Sequence, residues 1–164
     1  MDTDFELHVL AIGLEDRPGA VHSVAEVFSG RGLQMEAFHG TADGLNPDGH
    51  AQALILFRAS RDRADLVTRV LRRLSSVRRA ELLGMDDLRL VQSVLVANDG
   101  PEPPAGVRRV ELGQGVALAA GAPKAMQAWL DSDSPPRRMG AMRIDLLQGE
   151  GGGGGARFSE RFSA

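Results

Sequence analysis

The chain contains no cysteine. Disulfides, thiol nucleophiles and Cys-based zinc sites are therefore excluded. It also has no tyrosine, one tryptophan and six phenylalanines among 164 residues. A core must rest on Val, Leu, Ala and Met, and there is little from which to build an aromatic platform for stacking bases. Positive charge is not in excess: the net charge is −3 and the sequence pI is about 5.8. A nucleic-acid binder is expected to be basic. The local basic clusters "RRL" (Arg72–Leu74), "VRRAE" (Val77–Glu81) and "PPRR" (Pro135–Arg138) read as solvated faces. No apolar run approaches the ~20 residues of a membrane span. The acidic start, "MDTDFELHVL", does not look like a signal peptide. The expectation is a soluble cytoplasmic protein that binds neither nucleic acid nor membrane.

Catalytic signatures are missing as well. There is no Gly-x-Ser-x-Gly elbow, no Walker loop and no His-Glu-x-x-His. Asp131 and Asp133 with Arg137 and Arg138 read as a polar loop. The histidines His8, His22, His39 and His50 match no common ligand spacing. His8 and His39 remain candidates to approach each other on neighbouring strands.

What the chain does contain is periodic. "LHVLAIGL" (Leu7–Leu14) is almost wholly apolar and short, as in a central strand. Pro18–Arg31 reads as a helix with Val21, Val24, Ala25 and Phe28 inward, and Gly32 supplies a left-handed stop. Leu33–His39 alternates, and "TADGLNPDGH" is dense in turn residues. Ala51–Arg58 is the next strand, paired antiparallel because the intervening loop is too short for a crossover. Asp62–Leu74 is a second helix with Leu66, Val67, Val70, Leu71 and Leu74 inward, and Val77–Leu83 a charged edge strand. This order is the βαββαβ plan of the ferredoxin-like α+β fold, with two helices on one face and the other face bare.

After Gly84 the plan repeats without its first helix. Leu88–Ala97 is a strand, and "NDGPEPPAG" carries three prolines where a helix would stand. Val107–Leu112 and Val116–Ala120 flank "GQG" as a hairpin. Pro123–Leu130 is a short helix with Met126, Trp129 and Leu130 inward, and Ala141–Leu147 is a last strand. The expected organisation is a first domain over 1–84, a degenerate ferredoxin-like domain over 85–149 and a Gly-rich tail over 150–164 that reads as flexible by composition.

The turn "DRPG" (Asp16–Gly19) has no ordinary side-chain cap for the helix that follows. With Pro18 in the first helical position, the N–H groups of Gly19, Ala20 and Val21 are left open. Two readings stand side by side. One is a tight strand-to-helix turn. The other is a small anion site, with glycine allowing close approach and the helix dipole favouring negative charge. An amino-acid carboxylate fits the second, with Asp16 accepting from the ammonium and Gln34 offering its amide.

The run "HVLAIGLEDRPGAVHSVAEVFSGRGLQMEAFHGT" resembles an ACT domain, and more narrowly the regulatory (small) subunit of acetolactate synthase. The likeness rests on Asp16, Gly19-Ala20-Val21, Phe28-Ser29-Gly30-Arg31-Gly32 and Leu33-Gln34-Met35-Glu36-Ala37. "VRRVELGQGVALAAGAPKAMQAWLDS", with Lys124, and "MGAMRIDLLQG" are similar to that family's C-terminal domain. The chain departs from the pattern at Gln34, where the family has Asn, at Gln52-Ala53, and in the missing helix between Ala97 and Val107. The resemblance implies a non-catalytic subunit with no cofactor of its own. It implies a branched-chain effector such as valine, held by Asp16, Gly19, Ala20, Val21, Gln34 and Met35 across a homodimer interface. It implies a thiamine-dependent acetolactate synthase catalytic subunit as the partner. The alternative is a stand-alone ACT amino-acid binder that controls another enzyme or a transcription factor. The missing helix is expected to leave part of the second sheet uncovered, to be closed by a partner.

Overall fold

A computed structural model describes residues 5–41 and 51–147. The tail over 150–164, His50 and most of the "TADGLNPDGH" loop lie outside the described residues. The chain divides into two compact units, Met1–Met85 and Asp86–Ala164.

In the first unit the elements follow the βαββαβ order: β1 (Glu6–Leu14), α1 (Ala20–Ser29), β2 (Met35–Thr41), β3 (Ala51–Ala59), α2 (Arg61–Leu71) and β4 (Val77–Leu83). The sheet order is β2-β3-β1-β4, with β1 antiparallel to both neighbours. Leu10, Ile12, Ile55, Phe57, Val24, Phe28, Val67 and Leu71 form the core between sheet and helices, each essentially closed to solvent. Phe28 and Phe57 meet edge to face, with ring centroids 5.1 Å apart.

The second sheet face is not bare, as the sequence reading had it. Val9, Ala11, Leu54, Leu56 and Leu83 lie opposite the core residues, and none is more than 7% exposed. Central strands buried on both sides read as continuous apolar runs, which explains "LHVLAIGL".

Both helices are shorter than expected. α1 begins at Ala20, because Gly19 takes φ +86°, a left-handed geometry from which a right-handed helix cannot extend backwards. Its buried stripe is Ala20, Val24, Val27 and Phe28, so Val21 is 50% exposed rather than inward. Gly32, at φ +60°, closes the helix as expected. α2 turns Ala64, Val67, Thr68 and Leu71 inward and leaves Leu66 on the surface. β2 carries a bulge at Glu36, which puts Met35 and Phe38 on the core side in place of a plain alternation.

The second unit contains β5 (Leu90–Ala97), β6 (Val107–Gly113), β7 (Val116–Gly121), α3 (Pro123–Leu130) and β8 (Arg143–Leu146). Its sheet order, β6-β7-β5-β8, repeats that of the first unit strand for strand. The described residues are thus two ferredoxin-like α+β units, the second with one helix. Its core side is nevertheless closed: Val94, Val96, Ala117, Ala119 and Met126 are all buried.

A lock on the Asn98–Gly106 loop explains why no cover is missing there. Arg109 sits in register with Ala119 and is only 15% exposed at its side chain. Its guanidinium donates to the carbonyls of Gly100 (3.1 Å) and Pro101 (3.2 Å) and to the carboxylate of Glu102 (2.8 Å). The loop is held where a first helix would pack. Arg109→Ala is expected to destabilise the second unit by about 2 kcal/mol, since it removes charge-assisted bonds made by a largely buried arginine to two loop carbonyls and a carboxylate. Thermal unfolding should show a drop on the order of 10 °C. An unchanged transition would mean that the loop stands without the arginine.

Candidate functional site

The turn between β1 and α1 is built by backbone. Gly19 is the N-cap of α1 and makes no side-chain capping bond. A Cβ placed there would meet nothing within 4 Å. The Ala20 N–H is taken by the Arg17 carbonyl at 3.3 Å, and the Ser23 N–H by the Gly19 carbonyl at 3.0 Å. The N–H groups of Gly19, Val21 and His22 have no partner among the described residues. The open set is therefore Gly19, Val21 and His22 rather than Gly19, Ala20 and Val21. The difference follows from the helix starting after the glycine.

Side chains frame this opening. Asp16, Arg17 and Val21 are exposed around it. Neither Asp16 nor Arg17 forms an ion pair among the described residues. The Arg17 guanidinium donates to the Ser75 hydroxyl at 3.2 Å, a neutral partner that leaves its charge uncompensated. The Glu15 N–H donates to the carbonyl of buried Ser76 at 3.0 Å, and Arg78 pairs with Glu15 at 2.6 Å. The connection from α2 to β4 thus braces the turn. Ser75, Ser76 and the bond from Arg17 to Ser75 went unread in the sequence because they depend on β4 lying beside β1.

Gln34 and Met35 are placed elsewhere in the same chain. Gln34 is exposed just before β2, not within a strand. β2 is not adjacent to β1, since β3 lies between them. Met35 is in register with Phe57 and so with His8, whereas Leu14, which leads into the turn, is in register with Ala51. Those two ends of the sheet are about 20 Å apart. Within one chain, then, Asp16, Gly19, Ala20 and Val21 come together, and Gln34 and Met35 stand at the far end.

The histidines do not converge. His8 is buried on the core side against Phe57, with Nε2 3.1 Å from the Ala59 carbonyl oxygen. His39 is in register with Leu54, on the opposite face. No group of three His, Asp or Glu able to hold a metal occurs among the described residues. The side-chain hydrogen bond from Arg89 holds the Asp87 carboxyl below its usual range, but Asp87 lies outside the turn.

No protein-family model and no curated protein matches the chain. Solved structures do. The small subunit of acetolactate synthase from Thermotoga maritima aligns over 88% of this chain and 99% of its own, with a TM-score of 0.54 at 11% identity. The regulatory subunit of aspartate kinase from Thermus flavus aligns over 74% and 85%, with a TM-score of 0.44 at 18% identity. The first likeness shows a shared fold, and to that extent agrees with the resemblance read from the sequence.

Proposed function

We infer that the chain is a non-catalytic regulatory subunit whose first unit senses a branched-chain amino acid, valine or a close relative. One observation carries this reading: a helix start without a side-chain cap, where left-handed Gly19 and the unpaired N–H groups of Gly19, Val21 and His22 lie beside Asp16 and Arg17. A carboxylate meets those N–H groups, the positive end of α1 and the Arg17 charge together. Asp16 accepts from the ammonium. Val21, half exposed, offers an apolar contact to an aliphatic side chain.

Gln34 and Met35 join the site from a second copy. β4 is protected as an edge: it carries Arg78, Arg79 and Glu81, and Arg72 donates to the Ala80 carbonyl at 2.8 Å. β2 has one charged residue, Glu36, already paired with Arg58 at 2.8 Å. Two copies joined antiparallel along β2 set the Met35 end of one strand beside the Thr41 end of the other. Thr41 is in register with Gln52, next to Ala51 and hence to the turn end of β1. The partner's Gln34 and the partner's Met35 then reach the end that holds Asp16 and Gly19. A ligand bound across this seam stabilises one arrangement of the dimer, which biases an acetolactate synthase catalytic subunit by population shift. The fold shared with an acetolactate synthase small subunit and the motif resemblance support that partner.

Thermal unfolding with each amino acid tests the reading. A ligand at ~100 times its dissociation constant adds about 2.7 kcal/mol. For a unit of this size that is a rise on the order of 10 °C. The expected result is a rise confined to branched-chain amino acids. No rise with any amino acid overturns the sensor reading.

A further inference from the structure

Three arginines converge at the open edge of the first sheet. Arg72, Arg78, Arg79, Ala80 and Glu81 line a depression of about 470 Å³ beside β4. Arg72 stands at the C-terminal end of α2, and the others belong to β4. Consecutive strand residues ordinarily point to opposite faces. Here the register breaks: Gly13 faces Arg79 and Leu14 faces Val77, which makes Arg78 the extra residue of a bulge. A bulge re-aims the side chains beside it, and this one lets Arg78 and Arg79 share one depression.

The lining carries three guanidinium groups against one carboxylate. Arg72 donates through Nε to the Ala80 carbonyl at 2.8 Å, a neutral partner that leaves its charge uncompensated. Arg78 donates through Nε to Glu15 and Arg79 through Nη2 to Glu81, both at 2.6 Å. A guanidinium has five N–H donors, so each of these bonds leaves most of the fork to a ligand. The side chains of Arg78 and Arg79 are 51% and 72% exposed, within reach of a solute. Guarding a sheet edge needs charge, but not charge gathered around a hollow. Forked donors of this kind match the oxygens of a phosphate, and its double charge offsets the local excess. The volume falls in the range of small-molecule sites, which leaves room for the molecule that carries the phosphate.

We propose that this depression binds a phosphate-bearing small molecule, with Arg72, Arg78 and Arg79 holding the phosphate and Glu81 steadying Arg79. It shares no lining residue with the turn at Asp16–Gly19, so the two readings stand or fall separately. Nitrogen-15 NMR of the arginine Nε–H groups of the full chain, titrated with inorganic phosphate at constant ionic strength, tests it. The signals of Arg72, Arg78 and Arg79 should shift together along one binding curve. Those of Arg137 and Arg138, exposed in the second unit, should hold. Arg79→Gln leaves the Arg72 and Arg78 bonds in place and should weaken binding about 10-fold or more. Arg138→Gln removes the same charge elsewhere and should leave the binding curve unchanged. Glycerol phosphate should shift the same three signals, and an ester that fails to bind overturns the ligand class. No shift with phosphate, or an equal loss in both variants, overturns the proposal and leaves the arginines as guards of the edge.

Discussion

A Gly19→Leu variant is expected to keep its fold and lose its response to amino acids. Two effects separate cleanly here. The first is backbone strain: at φ +86° a residue with Cβ costs about 1–2 kcal/mol. The second is obstruction, since nothing lies within 4 Å of the Cβ position and the new side chain enters the space assigned to the carboxylate in the proposed function. Gly32 supplies a matched control. It too has positive φ, +60°, and no neighbour within 4 Å of a Cβ, but it closes α1 at the opposite end from the turn. Gly32→Leu should therefore lose a similar amount of stability and retain the full ligand-induced rise. At Gly19 affinity should fall about 100-fold or more, which at a ligand concentration ~100 times the original dissociation constant removes at least about 2.3 kcal/mol of ligand stabilisation. Equal responses in the two variants would take the turn out of the mechanism.

The largest loss of stability is expected at Phe57→Ala. Phe57 is fully buried in the middle of the first core, edge to face with Phe28 and 5.6 Å from the His8 ring. Truncating such a side chain costs about 3–5 kcal/mol, from lost transfer energy plus a cavity that the sheet cannot collapse into. A domain of this size has roughly 4–13 kcal/mol in total. The variant should thus retain a fraction of that margin, and its urea midpoint by circular dichroism should fall by about 2 M. Phe28→Ala should behave similarly. The double variant should lose less than the two singles combined, by about 0.5–1.5 kcal/mol, because the ring-on-ring contact disappears once. Strict additivity would mean that the edge-to-face geometry contributes nothing beyond area.

Much of the fold was legible because strand and helix periods are explicit in this chain. Even the proline-rich loop that replaces a helix could be read, from Pro101, Pro103 and Pro104. The locally made part of the site was legible too, since the bare N-terminus of α1 follows from the absence of a capping side chain. Three features were not. Whether Gln34 stands near the turn depends on β3 lying between β1 and β2, which is a matter of long-range pairing. The bulge at Glu36 shifts one residue against its partner strand and leaves no mark in an alternating pattern. Arg109 looks like any exposed strand arginine until its register with Ala119 turns it toward the loop. The buried outer face of the first sheet had a visible signal, the unbroken apolar runs of β1 and β3, whose second meaning went unused.

The lone tryptophan has an optical consequence. Trp129 is buried in the second core, and the chain has no tyrosine. All near-ultraviolet emission excited at the red edge of indole absorption therefore originates in one unit. A change in that emission on adding an amino acid reports an event in the second unit, with no dye and no label. The protein carries its own reporter for the second unit, and the first unit is silent in that channel.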